Sequence, residues 1–441
     1  MPAPSTRRFL TAAAIAAALV APVTASAQDT TRGVRIGLEY RTGTTPGVIV
    51  LPVRGAAGDS VRAILQRDLE YSGRVTVAAL SAQELEAPGL AGGTRLDYPL
   101  LARLGGNAVV QVTQTGAGLH VAVHDVGKRD LLKVADFPLP STFPGREWRL
   151  ALHAVSDELL RWIVGTPGAA ATRIAFVRGG QLVVVDSDGA GEAAIPTVGA
   201  PMSPAWHPRT ESIAYNTFGR GSRVVLHDFR SGRARTVSGT AGGVNQTPAF
   251  APDGRALVYS HTPAEGGDLY LAPLDDDGGA NVRRITVGRG TINVSPSFSP
   301  DGRRIVFTSS RVGHPEVYIM DADGTNPELL SPYVFGEESY QSNPDFSPDG
   351  RFVAYQALVS GRFQLKIINL RDRTVRQLTS EGRNEDPSWA PDGRHLVFTS
   401  DRTGTRQLWV LDVETNVARQ LTRSGGTRFA AWSPRLATVN R

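Results

Sequence analysis

Beyond residue 172, hydrophobic and polar positions alternate in short runs, and the runs return with a fixed motif. PAWHPRTESIAYNT begins at Pro204, PAFAPDGRALVYSH at Pro248, PSFSPDGRRIVFTS at Pro296, PDFSPDGRFVAYQA at Pro344 and PSWAPDGRHLVFTS at Pro387, with a truncated AAWSPRL at Ala430. Successive starts lie 43 to 48 residues apart. That spacing suits one four-stranded propeller blade.

Within each unit the chemistry predicts four strands. A short apolar strand ends in Phe or Trp and meets a Pro-Asp-Gly turn, in which Pro presets φ, Asp bonds its own turn and Gly accepts positive φ. A second strand alternates, as in Arg304-Ile305-Val306-Phe307. Glu316 to Met320 reads as a third and Val375 to Thr379 as a fourth. The second strand occurs six times, beginning near Arg173, Ser212, Ala256, Arg304, Phe352 and His395, whereas the first is missing before Arg173. Phe429 to Trp432 supplies it from the far end, which closes the ring and removes exposed sheet edges. The prediction is a multidomain chain: a small N-terminal α/β domain followed by a six-bladed β-propeller closed by a C-terminal strand.

Upstream, the pattern becomes mixed. Gly47 to Val53 reads as a strand. A helix follows, with Asp59 or Ser60 as its cap, Val61, Ile64, Leu65 and Leu69 on one face and Gly73 as its stop. Asn107 to Gln114 and Leu119 to Asp125 form a hairpin across Gly116-Ala117-Gly118. Arg146 to Val164 is a long helix, broken by Gly165-Thr166-Pro167-Gly168. Arg7 and Arg8, an apolar run from Leu10 to Val20 and Ala25-Ser26-Ala27 make residues 1–27 a secretory signal peptide. Its core is too short to span a bilayer, and no later run is long enough. The divisions are thus 1–27, 28–165 and 172–441.

The absence of cysteine from 441 residues means that export brings no disulfide, so buried apolar area must stabilise the fold. The formal charge of +5 includes Arg7 and Arg8 and falls to +3 without them. The arginines are scattered through turns and strand edges, a solvated surface and no nucleic-acid groove.

Catalytic and metal signatures are weak. His120 and His124 stand four apart, but on a strand, where that spacing does not give helical closeness. No HExxH or cysteine cluster offers a zinc set. Asp186-Ser187-Asp188-Gly189 and Asp321-Ala322-Asp323-Gly324 begin like calcium loops, yet the later ligands do not follow, and hairpin turns explain them. His153 is read as bonding a backbone group at the domain junction. GxSxG is absent, and Glu337-Glu338 sit in a polar loop with no apolar cover to raise a pKa. No cofactor and no metal residue is assigned; one structural cation in the central channel is left open.

The chain resembles the TolB family through most of its mature length. The resemblance is carried by Val34-Arg35-Ile36, Asp68-Leu69, Ser72-Gly73, Asn107-Ala108-Val109-Val110, His153 and Ser156-Asp157-Glu158. It continues in Thr172-Arg173-Ile174-Ala175-Phe176, Met202-Ser203-Pro204-Ala205-Trp206 and Ala431-Trp432-Ser433-Pro434. The resemblance implies a monomeric, non-enzymatic periplasmic scaffold. It would bind the lipoprotein Pal through the propeller and the inner-membrane protein TolA through the mature N-terminus, here Val34, Arg35 and Ile36, with other outer-membrane proteins as further contacts. The role implied is keeping the outer membrane attached during division. Gly37-Leu38-Glu39-Tyr40 departs from the family's N-terminal segment.

Three residues before the leading proline stand Asn245, Asn293, Gln341 and Asn384, in four successive blades. One reading makes them an amide-lined rim for Pal, with Ser203, Thr247, Ser295, Asn343 and Asp386 beside them. The other has the amides bond nearby backbone. The competing function is a periplasmic propeller hydrolase or lyase acting on peptide or sugar.

Overall fold

The computed structural model describes residues 45–85, 90, 96–218, 221–239, 242–263, 266–274, 281–288, 290–332 and 339–436. The signal peptide, Val34, Arg35, Ile36, Glu337 and Glu338 lie outside them.

The N-terminal region is a five-stranded sheet. Its strands are β1 (Gly47–Val50), β2 (Thr76–Val77), β3 (Ala108–Thr115), β4 (Gly118–Asp125) and β5 (Asp130–Pro138), in the order β2-β1-β3-β4-β5. β1 runs parallel to β2 and β3, and the rest are antiparallel. Helices α1 (Gly58–Tyr71), α2 (Ala82–Leu85), α3 (Tyr98–Arg103) and α4 (Arg146–Val164) surround it.

Strand alternation divides the core. Val48 and Val50 of β1, Val110 of β3 and Val121 of β4 meet Val61, Leu65 and Leu69 of α1 and Leu152, Val155 and Leu159 of α4. Ile49, Leu51 and Val109 meet Leu101 on the other side. The start of α1 differs from the cap read in the sequence: Ala57 is the N-cap and no side chain bonds the first turn. What fixes that start is close approach, since a Cβ on Gly58 would stand 2.0 Å from the Val53 carbonyl oxygen. The strand β5 extends the hairpin beyond its two expected strands.

From Arg173 onward there are six four-stranded antiparallel sheets. The second strands begin at Arg173, Ser212, Ala256, Arg304, Phe352 and His395. Blade 1 takes β6 (Arg173–Arg178), β7 (Gln181–Asp186) and β8 (Ala193–Ile195) from its own segment and Thr427–Trp432 from the far end. The closing pair is antiparallel, with Thr427 opposite Arg178 and Trp432 opposite Ile174. Two side chains fasten it: Ser433 Oγ accepts from Arg173 N at 2.9 Å, and Trp432 Nε1 donates to Thr172 Oγ1 at 2.7 Å. Neighbouring blades bury interleaved apolar residues, as where Val397 and Leu408 pack with Phe176 and Val183. No helix among the described residues is long and apolar enough to cross a membrane.

Candidate functional site

The inner strand of each blade carries one backbone irregularity. Its register slips between Gln246 and Ala249 in one blade, between Val294 and Ser297 in the next, and at matching places around the ring. There a residue other than glycine takes positive φ: Ser203 at 44°, Thr247 at 50°, Ser295 at 52°, Asn343 at 51°, Asp386 at 55° and Phe429 at 57°. Such a conformation costs of order 1–3 kcal/mol and gathers where a site needs it. All six line one central chamber of about 540 Å³.

Side chains at these bulges link the blades. Ser295 N donates to Thr247 Oγ1 at 3.0 Å, Ser295 Oγ to Asn343 Oδ1 at 2.8 Å, and Asn343 Nδ2 to Asp386 Oδ1 at 2.7 Å. Phe429 N completes the run by donating to Asp386 Oδ2 at 3.3 Å. A second carboxylate, Asp345, accepts from Ser297 Oγ at 2.9 Å and Trp389 N at 2.8 Å. Burial in the channel wall pushes Asp345 and Asp386 up to about 6 each, and Glu385 beside Asp386 adds to its rise. They are the charged residues of the chamber wall; Phe218 and Val244 stand exposed at its mouth.

The four amides read as a rim are elsewhere. Asn245, Asn293, Gln341 and Asn384 are buried, with exposures from 0% to 7%. Asn245 Nδ2 donates to the Ser222 carbonyl at 2.8 Å, and Asn293 Nδ2 to that of Gly267 at 3.0 Å. Gln341 Nε2 donates to the Pro332 carbonyl at 3.0 Å, and Asn384 Nδ2 to Gln364 Oε1 at 2.8 Å. Each amide thus ties the inner strand of its blade to the preceding blade or to the connection from it, so it cannot offer solvated hydrogen bonds to a partner. The bulge residues that flank them in sequence form the wall instead.

A second polar assembly joins the N-terminal region to blade 1. Asp68 on α1 accepts from His153 Nδ1 at 2.7 Å and Ser156 Oγ at 2.6 Å, both on α4. His153 therefore bonds a carboxylate, not the backbone group read in the sequence. Asp188, in the turn after β7, pairs with Arg67 at 2.8 Å and Arg149 at 2.7 Å. Burial opposes the charge on His153, but Asp68 and Asp188 outweigh it and hold the imidazole above its ordinary pKa. Burial likewise opposes charge on Asp188, and His153, Arg149 and Arg67 more than compensate. Ligand atoms of Asp68, His153 and Asp188 lie within 4.8 Å of one another, yet two guanidinium groups stand where a metal would supply charge. His120 pairs with Asp136 and His124 with the Tyr98 hydroxyl, so the two histidines serve different partners.

The family model for the TolB beta propeller domain matches residues 161–436. The chain belongs to the TolB family. The "Tol-Pal system protein TolB" of Methylococcus capsulatus is 35% identical over 209 residues, covering 44% of this chain and 48% of that protein. Its namesake in Gluconobacter oxydans is 30% identical over 244 residues, covering 52% of this chain and 51% of that one. This TolB-family chain spans about half the length of the curated relatives it matches. The crystal structure of TolB from Acinetobacter baumannii aligns with a TM-score of 0.74 at 25% identity, over 89% of this chain and 97% of that one. The likeness to that TolB therefore extends through the N-terminal region as well as the ring.

Proposed function

We propose that this chain is a non-enzymatic periplasmic scaffold of the Tol-Pal system, exported by a cleaved signal peptide, which docks a Pal-like lipoprotein over the open chamber of the propeller. The observation that carries this reading is the ring of six positive-φ residues, one per blade, around a chamber with exposed Phe218 and Val244 at its mouth. Conformational strain repeated six times at one opening is a mark of a functional surface. Exposed apolar side chains beside polar groups are the usual material of a protein–protein interface. The names of the relatives support the system, and the residues Val34, Arg35 and Ile36 are proposed for the TolA-like contact.

The wall lacks histidine, lysine and arginine among its lining residues, and both of its carboxylates already accept hydrogen bonds. A hydrolase or lyase would need a nucleophile or a base aimed at the opening, so the scaffold is favoured. The test is titration calorimetry of the mature chain with a Pal-like lipoprotein domain. Phe218→Asp and Val244→Asp, both at exposed positions, are expected to weaken binding at least tenfold while leaving the melting temperature unchanged. Unaltered affinity in both variants would remove the chamber mouth as the docking surface.

A further inference from the structure

A separate cavity of about 400 Å³ opens where the first turn of α4 meets blades 1 and 2. Its apolar wall is Val184, Ile195, Pro196, Trp206, Phe229 and Leu436. Its polar side chains are Arg146, Glu147, Arg173, Glu211 and His227. The size falls within the range of small-molecule sites, and a mainly apolar wall with a few convergent polar groups is their usual make-up.

Several groups at one end lack what would satisfy them. The 19-residue α4 begins after Gly145, which offers its first turn no side-chain cap. Free amides and the helix dipole at such a start favour an anion. Arg146 Nε is buried without a hydrogen-bond partner, and the Arg146 side chain makes no ion pair among the described residues. Burial first, and then the neighbouring Arg173, push its pKa down against the opposing pull of Asp186 and Glu147. His227, only 7% exposed, lines the same space with Nδ1 unpartnered.

The local carboxylates do not fill this need. Glu147 lies 3.3 Å from Arg173, and Glu211 lies 3.7 Å from Arg230. Arg173 also holds Asp186 at 3.3 Å. A half-buried guanidinium beside a second one, with carboxylates near but none paired to it, is a less favourable arrangement than one that an anion completes. Among the charged side chains described in this cavity's lining Arg146 is the one in no ion pair, so a ligand with one negative charge fits it. The indole of Trp206 and the ring of Phe229, with centroids 5.6 Å apart, call for an apolar body on that ligand.

We propose that this cavity binds a small organic monocarboxylate, its charged end held by Arg146 and the first turn of α4 and its apolar body against Trp206, Phe229 and Leu436. The site shares Trp206 with the wall of the central chamber but opens elsewhere, against the first turn of α4, and does not depend on the docking assigned there. Phenylacetate is a suitable probe, added to the full mature chain and followed by calorimetry and by the indole NMR signal of Trp206.

Saturable binding with a dissociation constant below about 1 mM is expected, together with a shift of the Trp206 signal. Phenylacetamide, uncharged but of the same shape, should bind at least tenfold more weakly to the wild-type protein, and Arg146→Gln should lose at least tenfold for phenylacetate. Equal binding of acid and amide overturns the anionic assignment, and this arm needs no variant to fold. Inorganic phosphate binding as tightly as phenylacetate overturns the role of the apolar wall. No saturation up to about 20 mM, a regime weaker than any specific site of this make-up, or undiminished binding by a folded Arg146→Gln, overturns the site itself.

Discussion

Replacing Asp157 with asparagine should make the protein relatively more stable as the pH rises. Asp157 sits on α4, 5% exposed, and its two oxygens accept from Ala170 N at 2.8 Å and Ala171 N at 3.0 Å, pinning the linker into the first blade. Burial pushes its carboxyl up from 3.8 to about 7, with those two amides pulling the other way. A raised folded-state pKa means that its favourable contribution is fully present below the unfolded value near 3.8 and is lost as pH rises through about 7. Integrated proton linkage puts the stability lost through this shift, relative to low pH, at roughly 2 kcal/mol at pH 5 and roughly 4 kcal/mol at pH 8. The amide introduced by Asp157→Asn would carry no such cost. It would lose one acceptor opposite a backbone N–H, a fixed penalty of about 1–3 kcal/mol that does not vary with pH. Urea unfolding of both proteins at pH 5 and pH 8, followed by the fluorescence of Trp148 and Trp162 on the same helix, measures the difference. The variant should gain on wild type by roughly 2 kcal/mol between the two values. A stability difference that stays constant across that range would show that Asp157 is charged throughout, and would refute the reasoning.

Two further outcomes follow from the same kind of argument. His153→Ala leaves the buried Asp68 carboxylate without its cation and should cost about 3–5 kcal/mol near pH 6. Because His153 has a raised pKa, its contribution is full below about 6.5 and fades as pH rises through the folded value, so denaturation at pH 6 and pH 9 should show the gap narrowing; an unchanging gap counts against a charged imidazole. Trp432→Ala removes an indole that is 8% exposed and bonded to Thr172 Oγ1. It should lower propeller stability by about 3–5 kcal/mol, and calorimetric melting that shows less than about 1 kcal/mol of loss would mean the closing strand is dispensable.

The ring was legible because each of its parts is encoded locally and repeated. Asp301 Oδ1 accepts from Arg303 N, and Asp349 Oδ1 from Arg351 N, within turns whose residues stand side by side in the chain. The closing strand was legible by subtraction, since one unit lacked its first member. Five of the six wall residues, Ser203, Thr247, Ser295, Asn343 and Asp386, were legible from their repeat position, but their bulges were not, because positive φ usually advertises itself as glycine, and here Ser, Thr, Asn, Asp and Phe adopt it. His153 finds Asp68 across 85 residues of sequence, a meeting set only by how α1 packs on α4. The rim amides stand out as a repeated set, but their exposure is a tertiary property: the loops they clamp fold over them. Strand β5 is largely exposed and breaks its own alternation, so periodicity gave it no strong signal.

The closing strand also sets a condition on how the molecule is made. Arg173 and Ser433, which meet at the closure, are 260 residues apart. At ribosomal rates of roughly 5–20 residues per second, on the order of tens of seconds separate the synthesis of the two sides. Through that interval the first blade must wait as three strands with a bare edge, open to pairing with any extended chain nearby. The last strand thus serves as a proof of completeness: a product cut short before Thr427 keeps that edge exposed, and with it a physical label by which unfinished chains differ from finished ones.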